Sequence, residues 1–223
     1  KIFYRNKRLD FNFEAIMRLI ETIEDVAEGA SWLAQHHEPF ALALEVTGPL
    51  PLRRSSDGFA ALLKAIIGQQ VSTAAANSIW VRLENAGLIE PNAILNAGEA
   101  GLRELGLSRQ KATYSLGLAK KGIDYLSLRK SPDSDVVSTL TAVKGIGTWT
   151  AEIYSIFALG RPDVFAPGDL ALQEAARLIF VLKHRPNEKE LRKMAQEWTP
   201  WRSVAARLFF AYYQISKNRE GTM

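Results

Sequence analysis

Apolar residues recur along most of this chain with the period of an α-helix. Ile16, Leu19, Ile20, Ile23 and Val26 form one such stripe, with Asn12 as its expected N-cap and Gly29 as its expected stop. The regularity then loosens. The stretch up to Gly48-Pro49-Leu50-Pro51 reads as a linker. Asp57 is expected to open the next helix, with Phe59, Leu62, Leu63, Ile66 and Ile67 on its inner face. The following position on that face is Gln70, so polar amides stand where the period asks for core. Ser72 is placed to cap a helix carrying Ala76, Ile79, Trp80 and Leu83. Leu102 and Leu105 belong to a short helix ending at Gly106. Ser108 caps another, which runs to about Lys121 and stops at Gly122.

Beyond it, a stretch from Val136 to Leu140 leads into the turn Lys144-Gly145-Ile146-Gly147-Thr148. A helix follows with Trp149, Ile153, Ile156 and Phe157 facing one way. Asp169 opens a helix to about Leu182, and the last two helices start near Asn187 and Thr199. In the last, Trp201, Val204, Ala205, Leu208, Phe209 and Tyr212 share a face. No segment alternates as a hairpin strand would, so the expected fold class is all-α.

Composition narrows the chemistry. The chain has 223 residues, of which 47% are hydrophobic, enough for a substantial core. It has no Cys, which excludes disulfides, thiolate metal sites, Cys-ligated iron–sulfur clusters and a Cys nucleophile. His36 and His37 are adjacent and diverge on a helix, and with only His184 besides they make no His metal site. No apolar run reaches the ~18 residues of a membrane span, and the basic N-terminus does not read as a signal peptide. Net charge is +4, but seven Lys and Arg residues lie between Arg103 and Lys130 against Glu104 and Asp124 alone. Such a run is either a solvated face or the footprint of an anionic partner.

Gly145-Ile146-Gly147 sits between two helices. A Gly-x-Gly turn either simply joins helices or lets a phosphate approach the free N–H groups of the second one. Asp169 follows Trp149 by 20 residues, after Val164-Phe165-Ala166-Pro167-Gly168, and reads either as an N-cap or as a reactive carboxylate. Arg202 reads as an ion-pair partner.

Taken together, five ordered segments resemble the helix-hairpin-helix DNA glycosylases, and among them the 3-methyladenine DNA glycosylase II (AlkA-type) family. They are Ala65-Ile-Ile-Gly-Gln-Gln-Val-Ser72, Gly106-Leu-Ser-Arg-Gln-Lys-Ala112, the Gly145–Gly147 hairpin, Asp163-Val-Phe-Ala-Pro-Gly-Asp169 and Trp198-Thr-Pro-Trp-Arg-Ser203. The resemblance covers about residues 57 to 213. It implies two helical lobes with a cleft between them: a central lobe over 56–167 holding the hairpin, and a discontinuous one of 1–55 plus 168–223.

The resemblance also implies roles. Asp169 is the catalytic residue; Trp149, Phe210 and Tyr154 line the base pocket, each with a packing role as its alternative. Gln69 and Gln70 lie where the family inserts a wedge into the duplex, or else form a helix-end network. Gly145, Gly147 and Thr148 hold a DNA phosphate, with Arg109 and Lys111 adding positive charge nearby. Backbone carbonyls of Thr141, Val143 and Ile146 hold a K⁺ or Na⁺; no other cofactor is expected. Lyase members carry a Lys where this chain has Trp149, so a monofunctional enzyme excising alkylated bases is expected. Two rivals stand beside it: a non-catalytic DNA-binding module, and a same-fold glycosylase acting on uracil or an oxidised purine. The expected partner is double-stranded DNA with damaged bases, met by a monomer away from any membrane, in the bacterial cytoplasm at the nucleoid or in a eukaryotic nucleus.

Overall fold

The computed structural model describes residues 18–220. All regular structure among them is helical: α1 (Ile23–His36), α2 (Glu38–Thr47), α3 (Phe59–Gly68), α4 (Thr73–Asn85), α5 (Pro91–Glu104), α6 (Arg109–Lys121), α7 (Tyr125–Leu128), α8 (Asp133–Thr141), α9 (Thr148–Phe157), α10 (Leu170–Ile179), α11 (Glu188–Met194) and α12 (Arg202–Glu220). A short 3₁₀ turn, Ala195–Trp198, follows α11.

Local signals set several boundaries where the sequence places them. The Ser72 hydroxyl accepts the Ala75 N–H at the head of α4, and the Ser108 hydroxyl does the same for Lys111 in α6. Gly122 ends α6 in the left-handed region at φ 59°. Asn187 caps α11 in a reciprocal box with Glu190.

Elsewhere the structure corrects the reading. Thr22, in a capping box with Asp25, starts the first described helix, and Leu19 and Ile20 precede it. Asn12 and Ile16 lie outside the described residues. Gly29 is not a stop. It sits inside α1, where a Cβ would lie 2.6 Å from Trp201 and Val204; its missing side chain lets the start of α12 pack close. The supposed linker contains the end of α1 and all of α2, whose Phe40 is fully buried. Gly58, not Asp57, is the N-cap of α3, and Asp57 instead forms a two-pronged ion pair with Arg129. Helix α5 is longer than expected and kinks at Gly98. Helix α12 begins at Arg202 rather than Thr199.

The buried apolar residues form two clusters. One joins α1, α2, α10 and α12 around Phe40, Phe165, Trp198 and Phe209. The other fills α3 to α8 around Leu62, Leu63, Ile66, Leu83, Ile94 and Leu140. Helix α9 serves both: Ala151 and Tyr154 belong to the second, Ile156 and Phe157 to the first.

The loop after α9 is fixed at both ends. Arg161, only 5% exposed, donates to the carbonyls of Arg129 (2.9 Å) and Ser131 (2.6 Å). Ser203 donates from its amide to Pro162 O (2.9 Å) and from its hydroxyl to Val164 O (2.9 Å). Arg202 grips Asp163 at 2.7 and 2.8 Å, in line with its ion-pair reading. Buried Gln173 holds Pro167 O at 2.9 Å. Asp169 is therefore delivered by a loop with little freedom.

Candidate active site

The hairpin consists of α8, a tight turn and α9. Its two glycines differ in what they do. Gly145 has φ 97°, and a Cβ there would lie 2.3 Å from the Tyr114 ring. That glycine serves the turn's conformation and its packing on α6. Gly147 has an ordinary φ of −89°, and a Cβ there would meet nothing within 4 Å. Nothing in the protein requires a glycine at 147. It opens space directly over the first turn of α9, where no side chain caps the helix. Free N–H groups and a positive dipole end make such a turn an anion site.

Beside it, Gln69 Nε2 donates to Gly145 O at 2.8 Å and ties the end of α3 to the hairpin. Gln70 is exposed and adopts φ 56°, a left-handed backbone unusual for a residue other than glycine. The Gln69-Gln70 turn separates two cavities. One, of about 560 Å³, is lined by polar groups including Ser108, Gln110, Lys111 and Tyr114. The other, of about 710 Å³, is walled by Trp149, Ile153, Tyr154 and Phe157 of α9, with Ser55 and Ala65 facing them.

Asp169 stands at the head of α10, and both of its carboxylate oxygens are engaged. Oδ1 accepts the N–H groups of Ala171 (2.8 Å) and Leu172 (3.3 Å). Oδ2 accepts the indole N–H of Trp149 at 2.9 Å. The N-cap reading of Asp169 is thus correct, and the second oxygen is turned to the cleft wall. Trp149 is 46% exposed, so its ring is not core packing. Residues 20 apart in the sequence meet here as carboxylate and donor.

The remaining expected residues fall as follows. Tyr154 lines the cleft with its ring, while its hydroxyl accepts the Gly58 N–H at 2.8 Å. Burial pushes the Tyr154 phenol up to about 12, so it stays protonated. Phe210 is not among the residues lining the cleft. It packs behind it on Phe157, with ring centroids 5.9 Å apart, and Phe157 takes the wall position. The sequence signal for Phe157 was present, since Trp149, Ile153 and Phe157 repeat every four residues along α9. That stripe reads equally well as core.

Lys111 does not project freely. Its ammonium donates to Ile67 O at 2.6 Å, at the C-terminal end of α3, and burial lowers its pKa. Arg109 is well exposed and lies 3.4 Å from Glu99. Thr148 is exposed at the head of α9. Around the turn, Val143 O accepts the Ile146 N–H at 3.0 Å. No group of three or more His, Asp or Glu side chains suited to a metal occurs among the described residues. No described helix is long and apolar enough to cross a membrane. Two unforeseen cationic groups also touch the cleft wall: the guanidinium carbons of Arg53 and Arg207 lie 4.9 and 5.1 Å from the Phe157 ring centroid.

Comparison with known proteins gives this geometry a context. A family model described as "HhH-GPD superfamily base excision DNA repair protein" matches residues 63–201. The chain is 30% identical over 171 residues to the "Alkylbase DNA glycosidase-like protein mag2" of Schizosaccharomyces pombe, covering 72% of this chain and 79% of that protein. It is 37% identical over 151 residues to the "DNA-3-methyladenine glycosylase" of Saccharomyces cerevisiae, covering 60% of this chain and half of that relative's length. Among solved structures, a DNA-3-methyladenine glycosidase from Bacillus halodurans superposes with a TM-score of 0.77 at 28% identity, over 86% of this chain and 91% of the other.

Proposed function

The chain belongs to the HhH-GPD superfamily of base excision DNA repair proteins, and from that premise we propose that it hydrolyses the N-glycosidic bond of alkylated bases, of the 3-methyladenine class, in double-stranded DNA. The observation that carries the proposal is the Asp169 carboxylate, fixed on both oxygens and tethered to the ring that walls the larger cleft.

In this reading the open turn at Gly147 and Thr148 takes a backbone phosphate. Gln70 enters the duplex as the wedge, braced by the Gln69 bond to Gly145 O. The damaged nucleotide leaves the stack, which costs a few kcal/mol and least for a damaged base. Its base occupies the cleft walled by α9, against Trp149, Tyr154 and Phe157. An alkylated purine cation is already a good leaving group. As the C1′–N bond breaks, its electron pair goes to the base and C1′ becomes an oxocarbenium. Asp169 stabilises that charge and orients a water whose oxygen bonds to C1′ and whose proton passes to solvent. The base departs neutral, and the product is an intact strand with an abasic site. Trp149 has no amine to form a Schiff base, and Lys144 lies across the turn from the cleft.

The neutral carbonyls of Thr141, Val143 and Ile146 suit a monovalent cation better than a divalent one, because no carboxylate joins them. A K⁺ or Na⁺ held there would place positive charge beside the phosphate. The protein acts as a monomer. The direct test of the proposal is incubation with methylated duplex DNA, with chromatography of the released bases. Release of 3-methyladenine supports it; DNA binding without release supports a non-catalytic module instead.

A further inference from the structure

Arg53, exposed and not among the residues lining the cleft, rests against the Phe157 ring of its wall, and the proposed chemistry leaves it unused. It sits between the two clusters, in the segment joining α2 to α3, with φ 50°. A left-handed backbone at a residue other than glycine is a strained conformation that surrounding contacts must hold. Here the contacts are two rings: the guanidinium carbon lies 4.9 Å from the centroids of both Phe157 and Phe210. No hydrogen bond or ion pair to the Arg53 side chain is seen among the described residues, so its charge is not neutralised by a carboxylate. Arg207 adds a second positive charge on the same Phe157 ring, but is consumed structurally by the carbonyls of Leu52 (3.0 Å), Ser203 (3.0 Å) and Ile156 (3.3 Å).

The cleft is therefore polarised along α9. The Asp169 carboxylate bonds to Trp149 at one end of the α9 wall and the two guanidinium groups lie on Phe157 at the other, although none of the three is itself a lining residue. The two ends are eight residues, or about 12 Å, apart along the helix. Breaking the C1′–N bond moves an electron pair from the sugar to the base, whatever the base's starting charge. Negative charge beside the sugar and positive charge beyond the base both favour that movement. A base stacked on the Phe157 face opposite Arg53 would lie roughly 8 Å from its guanidinium.

We propose that Arg53 is a rate-determining electrostatic residue of the base cleft, its guanidinium held on Phe157 and Phe210 to draw the bonding pair towards the departing base. It acts across the ring rather than by contact. The inference rests on the glycosylase reading of the cleft and adds a role to it. It carries a signature that ordinary DNA binding lacks. Positive charge near a cationic base opposes its binding but assists its departure, because the base becomes neutral as it leaves. Neutralising Arg53 should slow the step and not weaken binding.

The test uses the full chain and a methylated duplex, with release of 3-methyladenine followed under single-turnover conditions over a range of enzyme concentrations. Arg53→Gln should lower the saturating rate on the order of tenfold, as expected for a unit charge at that separation in an intermediate dielectric. The half-saturating concentration should stay the same or fall. Arg53→Lys keeps the charge and should recover most of the lost rate. Melting temperatures of both variants check that the fold is intact. An unchanged saturating rate in Arg53→Gln would overturn the proposal, as would an equal loss in Arg53→Lys or a rise in half-saturation at constant rate. Absence of base release by the unmodified protein would overturn the glycosylase reading, and this proposal with it.

Discussion

Asp169→Asn separates capping from the proposed catalysis, because Oδ1 serves the cap and Oδ2 accepts the Trp149 N–H. The asparagine keeps an Oδ1 acceptor for the Ala171 and Leu172 N–H groups, and Asn caps about as well as Asp. Its Nδ2 then faces the Trp149 indole N–H, which now lies 2.9 Å from Oδ2, and two donors cannot bond. The variant loses one hydrogen bond to a charged acceptor, worth ~1.5–3 kcal/mol. The lower end applies, because Trp149 is 46% exposed and its N–H can turn to water. Removing negative charge from the head of α10 costs a further ~0.3–1 kcal/mol. The total is about 2 kcal/mol, and at ~2–4 °C per kcal/mol for a domain of this size the melting temperature should fall roughly 4–8 °C. Base excision should fall far more, at least about a hundredfold, because the charge facing the oxocarbenium is gone. The assay pairs thermal melts with single-turnover release from methylated DNA, scaled to folded protein. Turnover within threefold of the unmodified protein, at whatever stability, would reduce Asp169 to a helix cap.

Three further outcomes follow from the site geometry. Gly147→Ala should leave the melting temperature nearly unchanged and weaken DNA binding, whereas Gly145→Ala should unfold the turn at markedly lower temperature, since its Cβ collides with Tyr114; equal effects in binding titrations and melts would refute the distinction. Trp149→Phe keeps a ring on the cleft but loses the N–H bond to Asp169, so the rate should fall about tenfold and stability by the ~1.5 kcal/mol assigned to that bond; a rate per folded molecule equal to that of the unmodified protein would show that the bond does not orient the carboxylate. Arg109→Ala should flatten the dependence of log K on log salt by about 0.9, as for one lost phosphate contact, while Lys111→Ala should in addition lower stability, because its ammonium holds the Ile67 carbonyl; an unchanged slope for Arg109→Ala returns that residue to the solvated face.

What the sequence made legible was local. Ser72, Ser108, Gly122 and Asn187 bound their helices because a cap needs only its own first or last turn. Helix α2 escaped notice because it buries little beyond Phe40 and Ala43, leaves Leu42 and Val46 exposed, and begins at Glu38-Pro39. A short helix with two inward residues has almost no periodic signal. Gly29 misled because glycine has two uses, ending a helix and admitting a neighbour, and only the contact with Trp201 tells them apart. The site divides in the same way. Its ordered motifs pointed to the hairpin, the Gln69-Gln70 turn and Asp169, each carried by a contiguous segment. The exchange of Phe210 for Phe157 on the wall, the bond from Lys111 to Ile67, and the placement of Arg53 on two rings all depend on how separate helices meet. No spacing rule encodes those.

The proposed function is hydrolytic removal of alkylated bases with the strand left whole. It is tested most directly by incubating the protein with a methylated duplex, chromatographing the released bases, and running the strand on a denaturing gel with and without hot alkali, borohydride being present in a parallel reaction. Free 3-methyladenine should appear, with strand breaks only after alkali and no borohydride-trapped adduct, because Trp149 offers the sugar no amine. Absence of released base, or breakage without alkali accompanied by a trapped covalent complex, would contradict it.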